Sequence, residues 1–105
     1  MIATDKLNEE IAKWLGWVKH GGIWYDGINR PHWNLNFTSD IRQTELLIKK
    51  LAKRGYNVYI LAREKGYYVQ ITVGVPKLAK NITTADTMPL AVAQAVGELI
   101  RKEGE

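Results

Sequence analysis

The chain has 105 residues, of which 46% are apolar and 25% are charged. This length fits one compact domain spanning residues 1–105, and the composition is typical of a folded globular protein rather than a disordered one. The formal net charge of +4 favours anionic partners to a small extent. The absence of cysteine excludes disulfides, thiolate nucleophiles and cysteine-based zinc sites.

The chain shows no segment of the kind that directs or anchors a protein to a membrane. Its first residues lack a basic region followed by an apolar run. No stretch approaches the roughly 20 apolar residues that a membrane-spanning helix needs. We therefore expect a soluble cytoplasmic protein with no membrane partner.

Three stretches have the apolar spacing of amphipathic helices. The first covers residues 5–15 and ends at Gly16, and the third covers residues 87–102 with Pro89 in its first turn. The second covers residues 40–54, behind cap candidates at residues 38–40. Its expected buried stripe is Ile41, Thr44, Ile48, Leu51 and Ala52, with Leu47 at the margin.

Two β-rich runs between the second and third helices predict a hairpin. Residues 57–63 and 67–74 flank a glycine-containing turn at residues 64–66. Both faces of the first run are apolar, so we expect cover on both sides of that strand. The aromatic and glycine-rich region 19–37 predicts one or two short edge strands, near residues 23–25 and 35–37.

The residues that could support catalysis are few and have simpler structural roles. Ser39 is the only serine, and it lies where a helix begins, a position that favours serine as a cap. His20 and His32 are the only histidines, and their spacing matches no metal-binding motif. No glycine-rich phosphate loop is present. We therefore expect no enzyme, no catalytic residue, no metal and no cofactor.

Binding is the better-supported hypothesis, because all four tryptophans fall in the first third of the chain. Trp14 and Trp17 are expected to fix the first helix to the core. An aromatic surface beside an arginine can stack a base and hold a phosphate. The predicted ligand-binding residues are Trp24, Tyr25, Arg30, His32 and Trp33.

The second helix offers an alternative site. Its basic residues cluster away from the apolar stripe, which is typical of a solvated helix surface but also fits a nucleic-acid-binding one. The residues of this alternative are Arg42, Lys49, Lys50 and Lys53.

Four segments, in order along the chain, resemble the phage ABA-sandwich domain family. Residues 14–17 are similar to the family's apolar–Gly–Trp signature, and residues 23–27 to its tryptophan-bearing stretch. Residues 36–41 resemble the step that opens the family's central helix, and residues 84–91 resemble the entry to its last helix.

This resemblance implies a mixed α/β fold, a three-layer α/β/α sandwich in which about three helices cover both faces of a small, mainly antiparallel sheet. It also implies a phage or prophage accessory protein, from a family that has no assigned activity. On this basis we expect a counter-defence protein that sequesters a nucleotide-like host immune signal or binds a host defence protein. A nucleic-acid-binding module and a phage protein–protein adaptor are the alternatives, and a homo-oligomer is expected because a small domain gains core by self-association.

Overall fold

The computed structural model describes residues 4–73 and 82–103. Within these residues, the predicted mixed α/β class with three helices is confirmed. None of the helices within the described ranges is long and apolar enough to cross a membrane. The elements in chain order are α1 (Thr4–Trp14), β1 (Val18–His20), β2 (Ile23–Tyr25), β3 (Pro31–His32), α2 (Ile41–Lys53), β4 (Tyr56–Arg63), β5 (Gly66–Val73), β6 (Ile82–Ala85) and α3 (Met88–Glu103).

The described strands form two antiparallel sheets of three strands each, in the orders β1-β2-β3 and β4-β5-β6. The predicted hairpin is confirmed as β4 and β5, and its tip is Glu64 and Lys65 because Arg63 already pairs with Gly66. The strand predicted at residues 23–25 is confirmed as β2. The prediction of a strand at residues 35–37 is wrong. The carbonyl of Asn36 instead accepts hydrogen bonds from the amides of residues 39 and 40, in a turn before α2.

One apolar core joins the helices to the β4-β5-β6 sheet. α3 packs on β5 and β6, α2 packs on β4, and α1 packs on α3. Val69 of β5 and Val92 of α3 are fully buried in this core, together with Ile11 of α1. The helices α1 and α3 approach closely at Gly97, where an added Cβ would lie 2.6 Å from Cδ1 of Leu7.

The helices cover one face of the β4-β5-β6 sheet. Tyr67, Val69 and Ile71 of β5 point into the core, so the alternate residues point to the opposite face. On that face Tyr59, Leu61 and Tyr68 are exposed. Cover on both sides of the first hairpin strand is therefore not seen within residues 4–73 and 82–103. Tyr59 explains part of the difference, because its ring adds apolar character to the strand while its hydroxyl remains in water. Leu61 has no such polar group and is exposed all the same.

The buried stripe of α2 is rotated from the expected one. Thr44, Leu47 and Leu51 are fully buried, at the spacing i, i+3 and i+7. Ile41 is 48% exposed and Ala52 is also exposed. Leu47 is thus at the centre of the stripe rather than at its margin, because both α3 and β4 pack against this side of the helix.

The ends of α2 are fixed by side chains. Asp40 is the N-cap, and its carboxylate accepts a hydrogen bond from the amide of Arg42, which holds the pKa of Asp40 below its usual value. At the other end the guanidinium of Arg54 donates to the carbonyl of Trp14 at 3.0 Å and lies 4.1 Å from the centre of its ring. Arg54 therefore connects the carboxyl ends of α1 and α2.

Candidate anion-binding groove

The loop between β2 and β3, residues 26–30, is organised by the side chain of Asp26. One carboxylate oxygen, Oδ1, accepts bonds from the amides of Ile28 and Arg30, each at 3.0 Å. The backbone closes the same loop, since the amide of Asp26 donates to the carbonyl of Arg30 and the amide of Asn29 donates to the carbonyl of Asp26. Asn29 has a φ of 60°, a left-handed conformation that asparagine tolerates. The loop therefore has a defined shape.

The second oxygen of Asp26 fixes two side chains. Oδ2 accepts from Nε of Arg30 at 3.2 Å and from Nε2 of His32 at 2.9 Å. Since a carboxylate can only accept, Nε2 of His32 is the donor of this hydrogen bond. The His32 ring stacks on the Trp17 indole with centroids 4.3 Å apart.

Burial and hydrogen bonding act in opposite directions on Asp26. Burial of this carboxylate, which is 7% exposed, raises its pKa, but the hydrogen bonds from His32, Arg30 and Ile28 outweigh burial. The pKa of Asp26 is therefore well below its usual value. The group is a carboxylate at neutral pH, with its charge balanced locally by Arg30.

A groove of about 490 Å³ lies between this loop and α2. Its apolar lining comes from the end of α1, the loop and the helix, and consists of Leu15, Trp17, Ile28 and Leu46. Its cationic lining consists of Arg30, Arg42, Lys49, Lys50 and Lys53. Two carboxylates, Asp26 and Glu45, complete the charged groups.

Positive charge dominates the groove. Asp26 is already engaged by Arg30 and His32, and the exposed side chain of Arg42 pairs with Asp40 at 3.5 Å. Within the described part of the chain, the three lysines and Glu45 make no ion pair. Clefts lined by one sign of charge concentrate counter-ions, so this groove favours an anionic ligand.

The predicted aromatic ligand set does not assemble around one pocket. Trp24 is 7% exposed, belongs to the core and is not among the residues that line the groove. Tyr25 follows Trp24 in β2, and successive strand residues point to opposite faces. Tyr25 therefore lines a separate hollow of about 460 Å³ with Val18, His20, Asp26 and Asn29.

The other three residues of this set have different positions. Arg30 lines the groove, with its side chain 67% exposed. His32 lies behind Asp26 and supports the loop. Trp33 is 71% exposed and is not among the residues that line the groove.

The structure brings together all the residues of the alternative, nucleic-acid-binding site. All four of its residues, Arg42, Lys49, Lys50 and Lys53, line the groove opposite Arg30. The sequence placed Arg30 and this helix face in two rival sites, and it gave no sign of the apolar lining from Leu15 and Ile28. Leu46 could be placed beside the basic residues from its helical spacing, four residues after Arg42 and four before Lys50.

Comparison with known proteins adds no relative. No family model, curated protein or solved structure matches this chain. Across residues 4–73 and 82–103, no group of three or more histidine, aspartate or glutamate side chains could hold a metal ion. The groove is therefore interpreted from its own geometry and charge.

Proposed function

We propose that this protein is a non-enzymatic binding protein that holds a phosphate-bearing, nucleotide-like ligand in the groove between the 26–30 loop and α2. The supporting observation is that Arg30 and four basic residues of α2 line one space of about 490 Å³. Such a volume is in the range of small-molecule sites. The apolar lining would contact the sugar or base while the cations contact the phosphates.

The chemistry of the cations suits phosphate. Nε of Arg30 is bonded to Asp26, which orients the guanidinium and leaves its terminal nitrogens for a ligand. Each charge-assisted hydrogen bond contributes about 1.5–3 kcal/mol. Two or three such bonds amount to about 3–9 kcal/mol, which corresponds to a dissociation constant between the millimolar and the micromolar range.

A strand of nucleic acid is the second candidate ligand, because the basic residues extend along the helix. Arg42 and Lys53 are eleven residues apart, which is about 16 Å along the axis of α2. That distance would follow several phosphates of one strand. A strand of nucleic acid would also contact Lys49, which lies between these two residues.

The biological setting that we propose rests on the resemblance to the phage ABA-sandwich family. In that setting the protein is a cytoplasmic phage or prophage accessory protein, and the ligand is a nucleotide-like immune signal of the host. A host defence protein as the target, or a role as an adaptor in phage assembly, would leave the groove without a nucleotide. Titration with nucleotide probes separates nucleotide binding from both of these roles, because neither role predicts that the probes bind.

Calorimetric titration with adenosine triphosphate and with a single-stranded oligonucleotide of about 12 nucleotides tests the proposal. We expect at least one probe to bind, and the double variant Lys49→Glu/Lys53→Glu to weaken its binding at least about tenfold, because it reverses two charges of the groove. Oligonucleotide affinity should fall steeply with salt, with a logarithmic slope of about 0.7 per phosphate contacted.

The matched control is Arg63→Glu/Lys65→Glu, which reverses two charges at the end of the β4–β5 hairpin, outside the groove. It should change affinity much less than the groove variant does. Equal losses in the two proteins would mean that only net charge matters. The absence of binding of both probes to the wild-type protein would contradict the proposal.

A further inference from the structure

The charges of the groove are unevenly distributed along α2. Near the start of the helix, the positive charge of Arg42 is offset by the carboxylate of Asp40 at 3.5 Å. Toward the end of the helix lie Lys49, Lys50 and Lys53, which make no ion pair among residues 4–73 and 82–103. Because an anion is drawn to unpaired cations, we expect the phosphates of a ligand to lie at the lysine end of the groove.

Glu45 places a carboxylate in this otherwise cationic groove. It is exposed and lines the groove, with Arg42 three residues before it and Lys49 four residues after it. Both positions are within reach of a helical ion pair, yet Glu45 makes none with any residue that the structure describes. Its oxygens can therefore accept hydrogen bonds from a ligand, whereas its charge repels a phosphate.

The spacing of Glu45 and Lys49 matches the dimensions of a nucleotide. The two residues are four positions apart, which is about 6 Å along the axis of α2. In a nucleotide, the 2′-hydroxyl and the 5′-phosphate are attached to one ribose ring and are separated by a similar distance, whereas the amino groups of the bases lie farther from the phosphate. Leu46 lies next to Glu45 in the groove lining and offers apolar contact to the sugar or base. A phosphate at Lys49 therefore places the ribose near Glu45.

We propose, on the basis of the function proposed for the groove, that Glu45 accepts a hydrogen bond from the ribose 2′-hydroxyl of the ligand and makes the site selective for ribonucleotides. A carboxylate reads this hydroxyl in dinucleotide-binding proteins, and the hydroxyl is the group that distinguishes RNA from DNA. The ligand lies with its phosphates at the lysine end of the groove and its nucleoside toward the start of α2. Glu45 also disfavours a ligand that carries phosphate along its whole length.

Calorimetric titration with adenosine triphosphate and with 2′-deoxyadenosine triphosphate measures this selectivity. Loss of a hydrogen bond to a charged group weakens binding about tenfold or more, so the wild-type protein should bind the deoxy form at least about tenfold less tightly. The variant Glu45→Ala should bind the two nucleotides with nearly equal affinity, because the group that distinguishes them is absent. Alanine is a good helix former and Glu45 is exposed, so this variant should remain folded, which thermal unfolding checks.

Glu64→Ala is the matched control, because it removes the same charge at the tip of the β4–β5 hairpin, outside the groove. This variant should keep the preference of the wild-type protein for the ribonucleotide. Inorganic tripolyphosphate, which has no sugar, provides a second readout. It should bind Glu45→Ala more tightly than it binds the wild-type protein or Glu64→Ala, because a repulsive charge has been removed from the groove itself.

The outcomes separate the role of Glu45 from the function of the groove. Equal affinity of the wild-type protein for the two nucleotides, or a preference that survives in Glu45→Ala, would overturn the role of Glu45 and leave the proposed function standing. If only an oligonucleotide binds, RNA and DNA strands of one sequence replace the two nucleotides, with the same expectations. The absence of binding of all these probes to the wild-type protein would contradict both proposals.

Discussion

Asp26 is the single residue that most controls the shape of the groove. Its carboxylate accepts four hydrogen bonds, two from backbone amides and one each from the side chains of Arg30 and His32. The stacking of His32 on Trp17 ties the same network to the core. Arg30 can present its guanidinium to a ligand because this network fixes the loop.

Replacing Asp26 with asparagine should destabilise the protein at neutral pH. The amide nitrogen cannot accept the bonds from Arg30 and His32, so we expect a loss of about 1–3 kcal/mol in the free energy of unfolding. Folding lowers the pKa of Asp26. Its contribution is therefore present above the ordinary aspartate value of about 3.9 and is lost as the pH falls below it.

Urea unfolding of the wild-type protein and Asp26→Asn, at pH 7 and below about pH 4, measures this effect. The difference between the two proteins should shrink in acid. Asp40→Asn is the matched control, because asparagine caps helices about as well as aspartate does. Equal losses at Asp26 and Asp40, or a difference that persists in acid, would contradict the assignment.

Two tryptophans of the first third of the chain should behave in opposite ways. Trp24 lies in the core, and its replacement by alanine should cost about 3–5 kcal/mol. Trp33 is 71% exposed, and its replacement should change stability by less than about 0.5 kcal/mol. Because Trp33 is not among the residues that line the groove, Trp33→Ala should also leave the affinity for phosphate probes unchanged. A tenfold loss of affinity would instead support the aromatic stacking site that the sequence suggested.

Among the secondary-structure elements, the helices and the hairpin could be predicted, because each has a local sequence pattern. The first and third helices follow from apolar spacing with capping residues, and the β4–β5 hairpin follows from alternation around a glycine-containing turn. The rotation of the α2 stripe toward Leu47 could not be predicted, since both flanks of that helix are apolar. Which flank is buried depends on where α3 and β4 pack.

Gly66 is the position in the hairpin where only glycine fits. Its φ is 144°, and a Cβ there would lie 2.7 Å from the carbonyl oxygen of Ala85 in the adjacent strand. Gly66→Ala should therefore lower the free energy of unfolding by about 1–3 kcal/mol. Gly27→Ala is the control, because a Cβ at Gly27 would have open space around it. Thermal unfolding that affects both variants equally would show that the contact with Ala85 does not constrain the hairpin.

The candidate site emerges only at the scale of the whole molecule. Arg30 and Lys49 are 19 positions apart in the sequence, and they come together because the 26–30 loop folds back beside α2. The sequence indicated both groups of residues and their preference for anions. It could not join them, since no local pattern encodes the packing of a loop on a helix. It also placed Trp24 and Tyr25 in one site, although strand alternation separates them.

A heteronuclear NMR titration with adenosine triphosphate and with the oligonucleotide locates the binding site residue by residue. We expect the amide resonances of residues 26–30 and of α2 to shift, and Lys49→Glu/Lys53→Glu to reduce these shifts strongly at the same probe concentration. Shifts confined to the hollow beside Tyr25 and His20, or no shift with either probe, would contradict the assignment of the groove as the binding site.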